Sequence, residues 1–368
     1  MFKNSFFVIL LSLFFSCTTF YTGNYKLENF NVYGQPDELG SMVQPWEDGL
    51  RTTDNKNQLE WWYFDGKLPD GSIIVCYFWK VHFVIDQYFI GFNYSSPDGE
   101  DIFKIKYFDE KNVSFLKDSC NVQMGKNSII GNLKRYKIKI DPEDFDGFGI
   151  DIELNSKSLP YRPQDGIIKA GDNFFAWLAA VPKGEFKGQF FINNKKENIE
   201  GNGYHDHNWG NTPLQKLFSS WMWFRGEAGP YTIIAAELNT LENRGGYDIP
   251  ILYLAQEKEV IINRFGEDGL FTKKSDLIKN IYRKKNEPLF STLELITEDG
   301  FQIKIQGKKI IDNTLLFKRA RTPIPISSIM NIFDIDPHYT RLESTLNIKD
   351  TSDNTFKGYG ILEIMDLK

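Results

Sequence analysis

Apolar and polar residues alternate with a period of two from one end of the chain to the other. Tyr136, Ile138 and Ile140 alternate with Arg135, Lys137 and Lys139, and Ile150, Ile152 and Leu154 with Asp151 and Glu153. Phe301, Ile303 and Ile305 alternate with Gln302, Lys304 and Gln306. Successive side chains of a strand point to opposite faces, so each stretch reads as a strand with one wet face. The turn signals Pro69-Asp70-Gly71 and Pro97-Asp98-Gly99 make hairpins of Gln58 to Asp65 with Ser72 to Lys80 and of Tyr88 to Tyr94 with Ile102 to Phe108. Further strands are expected at Phe174 to Val181, Phe186 to Asn193, Ser219 to Arg225, Tyr231 to Asn239, Ile251 to Gln256, Glu259 to Arg264, Arg341 to Lys349 and Gly358 to Met365. Helix is confined to one or two short pieces, near Pro213 to Leu217 or Ser275 to Ile281. Hairpin follows hairpin without the long helices of an α/β crossover fold, which leaves antiparallel barrels or sandwiches.

A chain of 368 residues exceeds what one typical core organises, so two domains are expected. The aromatic content, 31 Phe, 17 Tyr and 8 Trp, favours strands and large apolar interiors and argues against disorder. The net charge of -6 is spread over interleaved acids and bases, leaving no basic field for a phosphate backbone, so nucleic acid is not an expected partner.

The first residues change the picture of where the protein resides. Lys3 precedes the apolar run Phe6 to Phe15, which is too short to span a membrane as a mature helix and suits a signal peptide. Leu13-Phe14-Phe15-Ser16-Cys17 resembles a bacterial lipobox, in which the Cys receives the lipid and becomes the new N-terminus. This predicts a lipoprotein signal peptide over residues 1–16, lipidation at Cys17 and a leader over 17–40. The protein would then sit on the bacterial envelope, at the outer membrane or cell surface, with secretion or a periplasmic location as the alternative. Cys76 lies inside the strand-like run SIIVCYFW, where a buried free thiol is a commoner state than a bridge to Cys120. Neither has a histidine close by in the sequence, and no metal site or cofactor is expected.

The chemistry concentrates in Gly201 to Gly210, GNGYHDHNWG, which holds two of the four histidines, an acid, an amide and a tryptophan. Its glycines let the segment bend and bring those groups to one point. In an extended strand His205 and His207 project to the same side, as a metal would need, but no third ligand is evident. Proton chemistry fits better, with His207 as acid or base and Asp206 or another carboxylate setting its tautomer. The alternative is a buried Asp-His-Asn-Trp cluster that satisfies its own hydrogen bonds at a domain junction. Upstream, Glu60-Trp61-Trp62-Tyr63-Phe64-Asp65 places Trp61 and Trp62 on opposite faces of a strand, so one of them belongs to the core. No GxSxG elbow, phosphate loop or dinucleotide fingerprint occurs, and Ser114-Phe-Leu-Lys117 fits SxxK only within strand-like sequence.

Glu60 to Asp65, Gly203 to Gly210 and the terminal Gly358-Tyr359-Gly360-Ile361-Leu362-Glu363 together resemble the AttH/hydroxyneurosporene synthase group of lipocalin-like proteins. That group includes carotenoid hydratases and is similar to fungal Diels-Alderases. The resemblance spans residues 40–368 and implies an all-β fold of two consecutive lipocalin-like antiparallel barrel or sandwich domains, 41–205 and 206–368, around an apolar pocket. The clustering of aromatic and polar residues in the histidine segment and in the strands before and after it makes Trp61, Trp62, Tyr63, Tyr204, His205, Asn208, Trp209, Trp221 and Trp223 the expected ligand contacts. An alkene hydratase of this kind protonates its substrate and captures the cation with water, for which His207 and Asp206 stand ready. The resembled hydratases carry Tyr-x-Asp on the next strand, where this chain reads Tyr231-Thr-Ile-Ile-Ala-Ala-Glu237, so Glu237 is the acid left on it. Three functions follow as expectations: a carrier of an apolar small molecule such as a lipid or isoprenoid, a cofactor-free hydratase, cyclase or isomerase, and a structural or adhesive surface lipoprotein.

Overall fold

In Gln58–Lys67 the residues Glu60, Trp62 and Phe64 turn to one face and Trp61, Tyr63 and Asp65 to the other, the alternation that founds the first sheet. A computed structural model describes residues 42–52, 57–82, 86–163, 166–170, 173–266, 269–278, 289–315 and 337–367. The expected signal peptide, Cys17 and the leader over 17–40 lie outside them. The first unit, 42–213 among these residues, carries β1 (Gln58–Lys67), β2 (Ile73–His82), β3 (Asp86–Ser95), β4 (Asp101–Phe108), β5 (Val113–Phe115), β6 (Asn121–Met124) and β7 (Asn127–Gly131). It continues with β8 (Arg135–Ile140), β9 (Gly149–Ser156), β10 (Ile167–Ala170), β11 (Asn173–Ile192) and β12 (Lys195–Gly210). The second unit, from Leu214 on, carries β13 (Phe218–Ala228), β14 (Tyr231–Thr240), β15 (Asp248–Gln256), β16 (Glu259–Phe265), β17 (Leu270–Ile278), β18 (Leu289–Thr297), β19 (Gln302–Leu315), β20 (His338–Lys349) and β21 (Thr355–Asp366).

The first sheet runs β4-β3-β2-β1-β12-β11-β9-β8-β7-β6-β5, with β10 paired to β11, and the second runs β16-β15-β14-β13-β21-β20-β19-β18-β17. Every pairing is antiparallel. In each unit the first strand pairs with the last, and the two edges of the sheet are consecutive in the chain. The first sheet curls almost shut: Tyr88 on β3 packs 5.9 Å from Phe115 on β5, and Lys104 on β4 pairs with Asp146 at 2.8 Å. Its inside is filled by Trp62, Phe64, Phe78, Phe92, Tyr136 and Trp209 with many aliphatic neighbours. Each such side chain contributes roughly 1.5–3 kcal/mol by leaving water. The second sheet curls less; Lys274 on β17 reaches across to Glu237 on β14.

The all-β, two-domain expectation holds, with three local differences. The expected cut at 205/206 is replaced by a division at Pro213/Leu214, because β12 runs unbroken to Gly210 between β1 and β11. The two strands expected over Phe174 to Asn193 are one long strand, Asn173–Ile192, and the break expected near Pro182-Lys183-Gly184 is a pair of register shifts between Leu178 and Gly184. Ser275 begins no helix, since β17 continues through Ile278, while Leu214–Lys216 is a single 3-10 turn.

Candidate functional site

The segment Gly201 to Gly210 does not bend. It is the second half of β12, and its glycines serve close packing instead: a Cβ on Gly203 would lie 3.3 Å from the Phe186 ring, and one on Gly201 2.8 Å from it and 2.3 Å from the Lys67 carbonyl oxygen. Flanked by β1 and β11, the strand from Gly203 onward is buried on both faces. Alternation therefore sorts its chemistry into two sets, His205, His207 and Trp209 inward, Tyr204, Asp206 and Asn208 outward.

The inward set forms a sealed knot with a 3-10 turn, Pro45–Asp48, to which no sequence motif pointed. His207 Nε2 lies 2.8 Å from Glu60 Oε1 and its Nδ1 3.3 Å from the Glu47 carbonyl oxygen. Asp206 thus does not set the tautomer of His207, because adjacent side chains on a strand face apart; Glu60 and the Glu47 carbonyl take that place. Glu60 also accepts from Arg51 N at 2.7 Å and from Thr52 N and Oγ1 at 2.9 and 2.5 Å. Burial alone would raise the Glu60 carboxyl, but His207, Thr52 and the Arg51 amide outweigh it and hold it below the usual glutamate range. The Trp62 ring stacks on His207 at 4.6 Å and 11° and donates from Nε1 to the Asp48 carbonyl at 2.9 Å, while the Trp209 ring lies 4.8 Å from His207, tilted by 37°.

His205 presents Nδ1 to the Tyr63 carbonyl at 2.7 Å and Nε2 to Asp48 Oδ2 at 3.2 Å. Burial lowers this imidazole, but Asp48 and the carbonyl reverse the effect and raise it above the ordinary histidine value. Asp48 accepts from Tyr136 as well, at 2.5 Å. The fold also brings a histidine to Cys120 that spacing along the chain did not: donor atoms of Asp48, Cys120 and His205 lie within 4.8 Å of one another. Asp48 Oδ2 is engaged by His205 and Tyr136, and the thiol donates to the Ile129 carbonyl at 3.6 Å and is pushed well up by burial, while the buried Asp48 Oδ1 has no hydrogen-bond partner among the described residues. Cys76 and Cys120 are both buried free thiols.

The outward set is of a different kind. Asp206 keeps 8% of its surface exposed where His207 keeps none. Its Oδ2 accepts from Tyr204 OH at 2.9 Å and from Trp177 Nε1 at 3.2 Å, and its Oδ1 from Asn208 Nδ2 at 2.7 Å. Burial pushes this carboxyl up to about 7, against the opposing pull of Tyr204, His205, Asn208 and Trp177. Tyr204, itself raised well above the phenol range by burial and by Asp206, remains a donor.

In register beside Asp206 and Asn208 stand Tyr63 and Trp61 of β1. Trp61 opens a row of aromatic rings across the sheet: Trp79 stacks on it at 4.3 Å, Phe89 follows at 5.8 Å, and Phe175 lies 5.8 Å to its other side. The opposite facing of Trp61 and Trp62 is as read from the sequence. Trp177, which no motif marked, comes to the site because β11 pairs it with Asn208.

The remaining candidates belong to the second unit. Glu237 shares the inner face of β14 with Tyr231, Ile233 and Ala235, where Lys274 and Asn239 hold its carboxylate. Trp221 and Trp223 are half-buried on the face of β13 opposite Met222 and Phe224.

The Diels-Alderase-like family model matches residues 48–268, more than half of the chain. Among sequence relatives, the hydroxyneurosporene dehydrogenase of Chlorobaculum tepidum is 25% identical over 224 residues, 50% of this chain and 56% of that protein. The quinolone epoxide rearrangement protein penF of Penicillium thymicola is 31% identical over 105 residues, 27% of this chain and 28% of that protein. The chain thus spans about half or less of the length of these curated relatives. Among solved structures, CghA aligns with a TM-score of 0.64 at 12% identity, covering 94% of this chain and 97% of that one. An AttH protein of Nitrosomonas europaea aligns with a TM-score of 0.58 at 13% identity, covering 88% and 97%. At such identities these two establish the fold alone, and they bear out the two-domain, lipocalin-like architecture.

Proposed function

Because the chain belongs to the Diels-Alderase-like family, we propose that it is an enzyme that transforms an apolar small molecule by proton transfer at Asp206. One observation carries this reading: a carboxyl held near neutrality by burial, gripped by three donors, beside a row of aromatic rings. A catalytic acid works best when it titrates near the working pH, and the faces of Trp61 and its neighbours favour positive charge developing on a bound alkene or similar group. Apolar walls with few polar groups are what such a ligand needs. The naming of relatives for an epoxide rearrangement and within a Diels-Alderase-like family supports catalysis over simple carriage. Hydration, cyclisation and isomerisation are the reaction types this site suits. His207, wholly buried behind the strand, supports it from the core, and Glu237, tied to Lys274, is assigned no proton transfer. A lipid anchor at Cys17 would keep the enzyme at a bacterial envelope, close to membrane-borne apolar substrates.

The test uses an apolar extract of the producing cells, incubated with purified wild type or Asp206→Asn and compared by mass spectrometry. Compounds that wild type consumes are expected to persist with the variant, turnover falling about 100-fold to 10,000-fold while the protein still retains them. Compounds retained unchanged by both proteins would leave a carrier and overturn the enzyme.

A further inference from the structure

The three donors on Asp206 are not shared evenly between its oxygens. Tyr204 OH and Trp177 Nε1 both end on Oδ2, and Asn208 Nδ2 alone ends on Oδ1. A carboxyl oxygen has two lone-pair positions, so among the described residues Oδ2 is filled and Oδ1 keeps one position open. Resting on the reading of Asp206 as the reacting acid, we propose that Trp177 is a positioning residue: with Tyr204 it occupies Oδ2, so that Oδ1 is the oxygen that carries the proton and exchanges it with substrate.

An indole suits this place because it can only donate. Having no acceptor atom, Trp177 can only face a carboxyl oxygen as a donor, whatever the protonation state of the acid. The same donors hold the product of the step. When the O–H bond at Oδ1 breaks and the π pair of an sp2 carbon forms a C–H bond, the carboxylate left behind keeps all three hydrogen bonds while positive charge passes to the substrate. The carboxylate then recovers a proton, either from the carbon next to the cation, giving an isomer, or from a water that has captured the cation, giving a hydrate. No other reactant is needed. The groups that face or back this acid are Tyr63 and Asp65 on β1, Tyr204 on β12, Trp177 on β11 with Tyr161 packed edge-on against it, and His205 behind the strand.

The proposal is tested on the intact protein by NMR. In wild type labelled at Asp carboxyl carbons and Trp indole nitrogens, with Asp206→Asn and Trp177→Phe supplying assignments, the Trp177 N–H resonance should shift with pH at the Asp206 midpoint, near 7. Removing a donor that favours the charged form should move that midpoint upward by about half to one pH unit, more in Tyr204→Phe than in Trp177→Phe. The alkaline limb of the kcat profile should follow in the same order, which a merely structural role would not produce. An indole resonance indifferent to Asp206, or a midpoint unmoved in both variants, overturns the proposal, and the wild-type resonance decides even if Trp177→Phe folds poorly. If the midpoints move as expected while Asp206→Asn keeps full turnover, the anchoring of Oδ2 stands and the assignment of Asp206 as the reacting acid falls.

Discussion

Asp206 holds its proton in the folded chain over a range where the unfolded chain has lost it, and the sign of that difference can be followed into stability. An unfolded aspartate titrates near 3.8 and this one at about 7, so between those values the native state binds more protons. Stability then falls as pH rises through that window and stays low above it. Asp206→Asn cannot ionise and is free of this slope. Whatever the substitution itself costs, its stability relative to wild type should improve by roughly 2 to 3 kcal/mol between pH 5 and pH 8, as read by urea unfolding at the two values. A relative stability that does not change with pH would place the Asp206 carboxyl in the ordinary range. The sequence showed Asp206 as one acid in a polar cluster and paired it with His207, since one dimension keeps neighbours together. Only strand alternation in the folded sheet separates them, and nothing in the apolar run Phe174 to Val181 marked Trp177 as the donor that would arrive opposite Asn208.

At the scale of elements, period two was enough to place the long strands, because each buries one set of side chains and wets the other. It failed where both faces are buried and where strands are short. β12 lies between β1 and β11 with chemistry on both sides, and β5, β6 and β7, of three to five residues each, offer too few positions for a pattern. The glycines of the histidine segment show the same limit. Their permissive backbone suggested a bend, whereas the sheet uses the missing Cβ to lay the strand against Phe186. The contacts around each predict an order of damage. A Cβ on Gly203 meets side-chain atoms, Leu154 at 2.9 Å and Phe64 at 3.0 Å, which can give way. A Cβ on Gly201 meets a backbone oxygen at 2.3 Å, which cannot move without β1. Gly203→Ala should therefore cost about 1 to 3 kcal/mol, the usual range for overpacking, and Gly201→Ala more, as compared by urea midpoints. Equal or inverted losses would mean that the strands yield more easily than the side chains between them.

Across the whole molecule, the two units share a plan that no run of letters repeats: in each, the first strand of the sheet pairs with the last. Those partners stand far apart in sequence, β1 with β12 and β13 with β21, so the shared plan lies in topology and not in a repeated string of residues. The plan puts the strand richest in chemistry at the centre of the first sheet, with the sealed knot on one side and Asp206 with its three donors on the other. The run Phe6 to Phe15 followed by Ser16-Cys17 predicts that the mature chain begins at a lipidated cysteine. Each acyl methylene placed in a bilayer adds about 0.8 kcal/mol, and one chain alone binds only reversibly, so the several chains of a bacterial lipoprotein would hold the protein permanently at the surface. An apolar substrate dissolved in that membrane would then need to travel only a short distance through water. Cys17→Ala should abolish incorporation of labelled fatty acid and move the protein from the membrane to the soluble fraction, while the purified variant still transforms its substrate when that is supplied in detergent. Unchanged labelling and fractionation would remove the anchor and with it the membrane as the source of substrate.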